Sequence, residues 1–407
     1  MLNLIWALLV VVSVGACCVN LLLGNASVVN SMMDAFFSSA DSAVKISIGL
    51  SGMLCAWLGI CRIMEASGIT AVIARLLTPL FRAIMPEIPP GHPAIGSVTM
   101  NLSANMLGLD NAATPLGIRA MKDLQSINPD PKVASNAQIM FLVLNTSSVC
   151  LFPVTVFLYR AQLGSASPAE IFVPLMLATT ASTVAGFLAT ALVQKIPLLR
   201  LPVLLAAGVL ISLVAAVVFW GVTAGPALSE QSKVMANCIL TLLIGGVFLI
   251  AMIRRVRTFE VFVSGAREGF STALEILPYL VAMLFAIGLF RASGALDLLL
   301  DGLRWLLSFF FDDLRFVDSL PVAAVKPLSG SGARAMMIDV IGAFGVDSFQ
   351  GRLAAIMQGS TETTFYVIAV YFGSVGIVKF RHAIGCGLAA DFAAMAASVG
   401  LCYCFFG

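Results

Sequence analysis

Apolar and polar positions in this chain sort into blocks rather than fine alternation. Apolar runs long enough to cross a bilayer as helices fall at roughly residues 2–24, 44–64, 137–160, 169–194, 201–222, 235–254, 272–291, 350–372 and 382–406. One of them carries a dense polar insert, Met357-Gln358-Gly359-Ser360-Thr361-Glu362-Thr363-Thr364. A carboxylate in hydrocarbon is costly, so Glu362 should face protein or a wet cavity. A second polar insert, Asn145-Thr146-Ser147-Ser148, lies in the run 137–160. Aligned without gaps, Ser147 falls on Ser360, Ser148 on Thr361 and Val149 on Glu362.

The intervening segments are too polar or too broken for simple spans. Thr70 to Met85 has an amphipathic pattern with Arg75 and Arg82, and ends at Pro86. Residues 94–124 mix apolar positions with Asn101, Ser103, Asn105, Asn111, Thr114 and Pro115, a pattern that predicts a re-entrant hairpin. The order recurs: after span 272–291 come an amphipathic 296–311, then Pro321, Lys326 and Pro327, and the small-residue run Leu328-Ser329-Gly330-Ser331-Gly332-Ala333-Arg334. Ala66-Ser67-Gly68 matches Ala292-Ser293-Gly294 at an offset of 226 (292 − 66). The pair Ser147/Ser360 has an offset of 213, the difference falling in the loop Lys122 to Lys132. Helix 201–222 has no counterpart, which turns the second copy over in the membrane and predicts an inverted-topology repeat with binding at the midplane.

Composition fits this picture. Of 407 residues 60% are hydrophobic and 11% charged, against about 25% charged in soluble domains, and the mean hydropathy is +1.01. With the N-terminus inside, the cytoplasmic segments hold Arg62, Arg75, Arg82, Arg119, Lys122, Lys132, Lys195, Arg200, Arg254, Arg255, Arg257, Arg267, Lys379 and Arg381, a positive-inside bias. The first run lacks a basic leader and is expected to stay as a transmembrane helix. The nine cysteines form no C-x-x-C pair and histidines number two, so no metal site and no cofactor is expected. No Walker, H-E-x-x-H or G-x-S-x-G motif is present, and no enzyme is expected.

The candidate chemistry is therefore binding. Glu362 is the expected coupling residue, its carboxyl subject to desolvation on one side and to the cations Lys326 and Arg334 on the other. Ser329 and Ser331 lie at a donor-rich hairpin tip. Asn101, Ser103, Asn105, Asn111 and Thr114 line the other hairpin. Asn145, Thr146, Ser147 and Ser148 face them from one interrupted run, and Gln358, Ser360, Thr361, Glu362 and Thr363 from the other. Each has a structural alternative: helix–helix polar contacts, close-packed turns or snorkelling cations.

The runs Asn101-Leu102-Ser103-Ala104-Asn105-Met106-Leu107-Gly108 and Asp110-Asn111-Ala112-Ala113-Thr114-Pro115-Leu116-Gly117 resemble one member of a known pair of families. Lys326-Pro327-Leu328-Ser329-Gly330-Ser331-Gly332-Ala333-Arg334 and Gln358-Gly359-Ser360-Thr361-Glu362-Thr363 resemble the other. These are the spore maturation proteins A and B, here in one chain, within the wider nucleoside-recognition or gate group. That group is similar to parts of concentrative nucleoside transporters and of the ferrous-iron permease membrane region. In sporulating relatives the pair is associated with spore core dehydration. The first-half position aligned with Glu362 is Val149, so a full nucleoside-transporter carboxylate motif is not matched.

The expected fold is an all-α polytopic membrane protein of two inverted-topology repeats. Each has four transmembrane helices, an amphipathic helix and a re-entrant hairpin. The first repeat is 1–195, a linker helix and loop 196–234, and the second repeat 235–407. The expected function is a secondary transporter or permease for a small polar solute or ion in the bacterial cytoplasmic (inner) membrane. The alternative is a non-transporting envelope scaffold. Expected partners are membrane lipid and a small polar solute or ion, with no nucleic acid; a homo-oligomer is allowed.

Overall fold

The computed structural model describes the backbone of residues 2–407 except Leu109, Ser148, Val149, Phe152 and 225–227; side chains at 2, 3, 5, 110–112, 218, 221, 222, 224, 228 and 229 are also outside the description. The described chain is nearly all helical. Its helices are α1 (Leu2–Leu22), α2 (Ser27–Ala66), α3 (Ile69–Ile84), α4 (Pro93–Met106), α5 (Asp110–Gln125), α6 (Asn136–Thr146), α7 (Val154–Gln162), α8 (Phe172–Gln194) and α9 (Leu201–Ala224). There follow α10 (Leu228–Ile253), α11 (Thr258–Ala292), α12 (Ala295–Leu307), α13 (Leu320–Val325), α14 (Gly330–Phe344), α15 (Phe349–Gly359), α16 (Thr364–Gly373) and α17 (Ala383–Phe406). Among the described residues five helices are long and apolar enough to cross a membrane: α2, α8, α11, α17 and the stretch Glu230–Ile253 of α10. The protein is a polytopic membrane protein.

Two expected spans are not continuous helices. The run 137–160 is α6, a break and α7; the run 350–372 is α15, a break and α16. The cause is local. At the end of α6, Asn145 Nδ2 donates to the Phe141 carbonyl at 2.8 Å, and Thr146 Oγ1 and Ser147 Oγ donate to the Val143 carbonyl at 2.9 and 2.8 Å. The Val143 carbonyl also accepts the Ser147 N–H at 3.0 Å, so two hydroxyls crowd a carbonyl of the last turn, the local competition that Ser and Thr offer a helix backbone. α15 likewise ends at Gly359, where the polar run 360–363 begins. The expected spans 44–64 and 272–291, by contrast, are only the ends of much longer helices. At about 1.5 Å per residue, α2 with 40 residues and α11 with 35 reach well beyond a hydrocarbon core. Their first halves carry scattered polar residues, which hid the helix from an apolar-run criterion.

The turns between long and amphipathic helices are alike. Gly68 before α3 and Gly294 before α12 both adopt left-handed backbone, at φ 75° and 76°, which glycine tolerates without strain. The preceding Ser67 and Ser293 are buried, and each hydroxyl donates to the carbonyl three residues back.

The chain forms two compact units, and neither is one sequence half. The first unit takes 1–57, 155–168 and 266–358; the second takes 58–154, 169–265 and 359–407. In the first unit Arg291 of α11 makes a two-pronged ion pair with Asp339 of α14, Nε–Oδ1 2.9 Å and Nη2–Oδ2 2.6 Å. The fully buried Arg160 of α7 donates to the carbonyls of Pro168 and Val346, to Ser165 Oγ and to Asp347 Oδ1. In the second unit a core of Phe81, Ile84, Val98, Met121, Ile139, Phe141, Val143, Phe372 and their neighbours joins α3, α4, α5, α6 and α16.

Candidate functional site

In the second unit the first hairpin is α4 and α5. His92 begins it: Pro93 occupies the first helical position and the His92 Nδ1 accepts the Ala94 N–H at 3.2 Å. Gly108, left-handed at φ 70°, closes α4. Asn101 is fully buried and its Nδ2 donates across the hairpin to the Ala113 carbonyl at 2.7 Å. Its Oδ1 has no well-formed hydrogen bond among the described residues. Ser103, also buried, spends its proton on the Thr99 carbonyl of its own helix. Thr114 is half-buried on α5.

The hairpin meets the end of α6 through amides. Asn105 Nδ2 donates to Asn145 Oδ1 at 2.7 Å, and the same oxygen accepts the Tyr371 hydroxyl of α16 at 3.4 Å. Tyr371 stacks on Phe141 at 5.7 Å between ring centroids. The Leu151 N–H, beyond the α6 break, donates to the Met106 carbonyl at 2.7 Å.

The two interrupted runs meet at their backbones. The Glu362 N–H donates to the Thr146 carbonyl at 2.8 Å. The Ser147 carbonyl accepts the Thr183 hydroxyl of α8 in a very short contact. A carbonyl left open inside a membrane costs as much as any buried polar group without a partner. Here the last carbonyls of α6 are met by the second half of the sequence and by α8. The side chains of Ser360, Thr361 and Thr363 are buried around this junction, whereas the Glu362 side chain is exposed. Thr363 stands at the start of α16 without a side-chain capping bond.

The unit also assembles residues that sequence patterns did not select. Thr364 Oγ1 donates to Asp391 Oδ2 of α17 at 2.7 Å, and Ser182 Oγ of α8 donates to the Ala390 carbonyl at 3.1 Å. Asp391 was visible as an ionisable residue in an apolar span; nothing in its neighbouring sequence tied it to the polar inserts. Tyr371 and Thr183 gave no signal beyond ordinary helix composition.

Lys326, Ser329, Ser331, Arg334 and Gln358 belong to the first unit. Ser329 caps α14, its Oγ accepting the Gly332 N–H at 3.0 Å and lying 3.2 Å from Ser331 Oγ. Gly332 packs closely there: a Cβ would stand 2.8 Å from Val325 Cγ1 and 2.9 Å from Met283 Cε, so a larger residue would make those side chains shift. Lys326 ends α13 and is buried, Arg334 is half-buried on α14, and Gln358 is buried on α15. Ser148 and the side chain of Asn111 lie outside the described residues. Among the described residues no group of three or more His, Cys, Asp or Glu side chains has metal-binding proximity.

The profile of the family described as nucleoside recognition (Gate) matches residues 47–166 and 273–378. Spore maturation protein B of Bacillus subtilis (strain 168) is 45% identical over 174 residues, which are 42% of this chain and 96% of that protein. Spore maturation protein A of the same organism is 39% identical over 188 residues, 46% of this chain and 93% of that protein. The two matched stretches contain the two hairpins and the polar breaks described above. With homology to both spore maturation proteins, the chain belongs to the nucleoside recognition (Gate) family of membrane proteins.

Proposed function

We propose that the protein is a secondary transporter or permease for a small polar solute or ion, acting in the bacterial cytoplasmic membrane. The observation that carries this reading is the junction of the two interrupted runs, where the Glu362 N–H meets the Thr146 carbonyl at 2.8 Å. Breaking a helix at membrane depth is a cost that a purely structural bundle has no reason to bear. Interrupted helices that meet near the midplane are the usual solute and ion sites of secondary transporters.

Several features support inverted repeats as the scaffold. The order of α1 to α8 parallels that of α10 to α17, leaving α9 as the single unmatched helix. Half-helices α6 and α15 have eleven residues each, and both bounds differ by 213 (349 − 136 and 359 − 146). An unmatched crossing between two equivalent sets reverses the second set, so α4–α5 and α13–α14 would be re-entrant from opposite faces. Family membership supports a polar solute. Asn105, Asn145 and the polar run 360–363 would contact it, and the exposed Glu362 carboxyl would carry the coupling proton. Catalysis and cofactors have no part in this reading.

The test is flux in proteoliposomes with and without a pH gradient. Glu362→Gln keeps the volume and fixes the group neutral. It should abolish the gradient dependence while leaving solute binding partly intact. Equal gradient dependence in both proteins would remove Glu362 from coupling. A second reading, a non-transporting envelope scaffold, draws on the relatives' names, which speak of maturation and not of a solute. It is favoured if Glu362→Gln assembles and complements normally and no solute moves in either protein.

A further inference from the structure

Three segments of the second unit meet at the start of α6: residues 85–92 after α3, residues 126–135 before α6 and residues 374–382 before α17. They border a cavity of about 430 Å³ whose lining includes Glu87, Asn128, Asp130, Asn136 and Arg381. Its walls are tied to one another. The Val378 and Lys379 N–H groups donate to the Lys132 carbonyl at 3.1 and 3.0 Å, and the Ala134 N–H donates to the Lys379 carbonyl at 3.0 Å. Asn128 Nδ2 donates to the Val133 carbonyl at 3.0 Å and to Gln138 Oε1 at 3.1 Å.

The three charged residues of the lining differ in what they do for the fold. Both Glu87 oxygens are engaged, one by Asn136 Nδ2 at 2.7 Å and the other by the Ala137 N–H at 3.2 Å. The Asp130 carboxylate accepts a single hydrogen bond among the described residues, from the Lys132 N–H to Oδ1 at 3.0 Å. The Arg381 guanidinium donates one, from Nη1 to the Ala134 carbonyl at 3.0 Å. Two opposite charges thus line one cavity without pairing with each other. Arg381 also holds left-handed backbone, φ 51°, which is costly for a residue with a long side chain. Lys195, left-handed at φ 54°, closes α8, whereas Arg381 stands just before α17 and closes no helix. Strain of this kind is concentrated where a side chain must be aimed.

We infer that this cavity binds a small zwitterion with an ammonium and a carboxylate group, the chemistry of an amino acid. The unused Nε and Nη2 donors of Arg381 offer a planar fork to the carboxylate. Asp130 Oδ2 is an open acceptor for the ammonium. A ligand with only one of the two charges would leave the other wall unmatched, so the pair selects for both at once. Walls fixed by hydrogen bonds lower the cost of ordering the site. The cavity is at one end of α6 and the helix-break junction at the other, about 15 Å along the helix at 1.5 Å per residue. The site is therefore separate from Glu362 and stands whether or not the protein moves a solute.

The test is thermal unfolding of the purified full chain at fixed pH and ionic strength with L-alanine, β-alanine or 4-aminobutanoate, which space the two charges differently. Propanoate and propylammonium chloride supply one charge each. At least one zwitterion should raise the melting temperature to saturation, and neither singly charged compound should do so at the same concentration. Arg381→Asn and Asp130→Asn should each abolish the rise. Asparagine tolerates left-handed backbone at 381 and keeps an oxygen for the Lys132 N–H at 130, so both variants are built to fold. Glu362→Gln should respond as the wild type does, which keeps this result distinct from that of the flux assay. No rise with any of the three zwitterions overturns the site. So does an equal rise with propanoate or propylammonium alone, or a rise that survives in either cavity variant.

Discussion

Tyr371 reaches the amide pair only because position 117 has no side chain. A Cβ on Gly117 would stand 2.2 Å from the Tyr371 hydroxyl and 2.3 Å from its Cζ. The ring is buried and stacked on Phe141, so it has little room to retreat. Gly117→Ala should therefore destabilise the protein by about 1–3 kcal/mol through overpacking. It should also separate Tyr371 from Asn145. The check is a melting temperature together with proteoliposome flux, and an unchanged melting temperature would mean that α5 and α16 adjust freely. Much of the polar site was legible at this scale, because amides and hydroxyls in an apolar run have few reasons to be there: Asn101, Asn105, Asn145 and Thr146 all make buried polar contacts. What stayed hidden was pairing at a distance. Nothing near Asp391 in sequence indicates Thr364, 27 residues away.

Among the elements, α7 shows how a short half-helix is held. Its Arg160 organises the loop after it through hydrogen bonds to the Pro168 and Val346 carbonyls, Ser165 Oγ and the Asp347 carboxylate, the last at 2.9 Å. Partial burial pushes the Asp347 carboxyl up, but hydrogen bonds from Ser165 Oγ and the Ala166 N–H, with the charges of Arg160 and Arg352, hold it below its ordinary value of 3.8. A carboxyl whose folded value is depressed binds fewer protons folded than unfolded. Its contribution is complete above about pH 4, the unfolded value, and is lost as pH falls through the lower folded value. Thermal stability should hold from neutrality to about pH 5 and fall in the acid range. Asp347→Asn should lower the neutral melting temperature and flatten that acid limb. An acid limb of equal depth in the variant would assign the loss to other carboxylates. The amphipathic helices and first hairpin were legible as elements from their charge spacing and prolines. The extended first halves of α2 and α11 were not, since polar residues on a helix that outruns the membrane look like loop by hydropathy alone.

For the whole molecule, the charge bias and the unmatched α9 make one prediction about sidedness. Reporter fusions after Gly24 and after residue 225 should report outside, and fusions near Arg200 and Arg257 inside. A cytoplasmic signal at both of the first two positions would exclude the inverted arrangement. The shared pattern of Ser67-Gly68 and Ser293-Gly294 could be seen in the sequence, and the two backbones turn alike. The partition into compact units could not. It depends on where the two broken helices send their second parts, and a break of a few residues carries no direction.

That partition bears on how the chain can be divided. Each sequence half supplies pieces of both units: α7 from the first half lies in the same unit as α12 to α15, and α16 from the second in the same unit as α3 to α6. A cut between α9 and α10 would consequently not yield two modules. It would yield two polypeptides, each unable to complete either unit without the other, so their partnership would be obligate. Joining them in one chain fixes their stoichiometry at one to one and lets a single translation event deliver both.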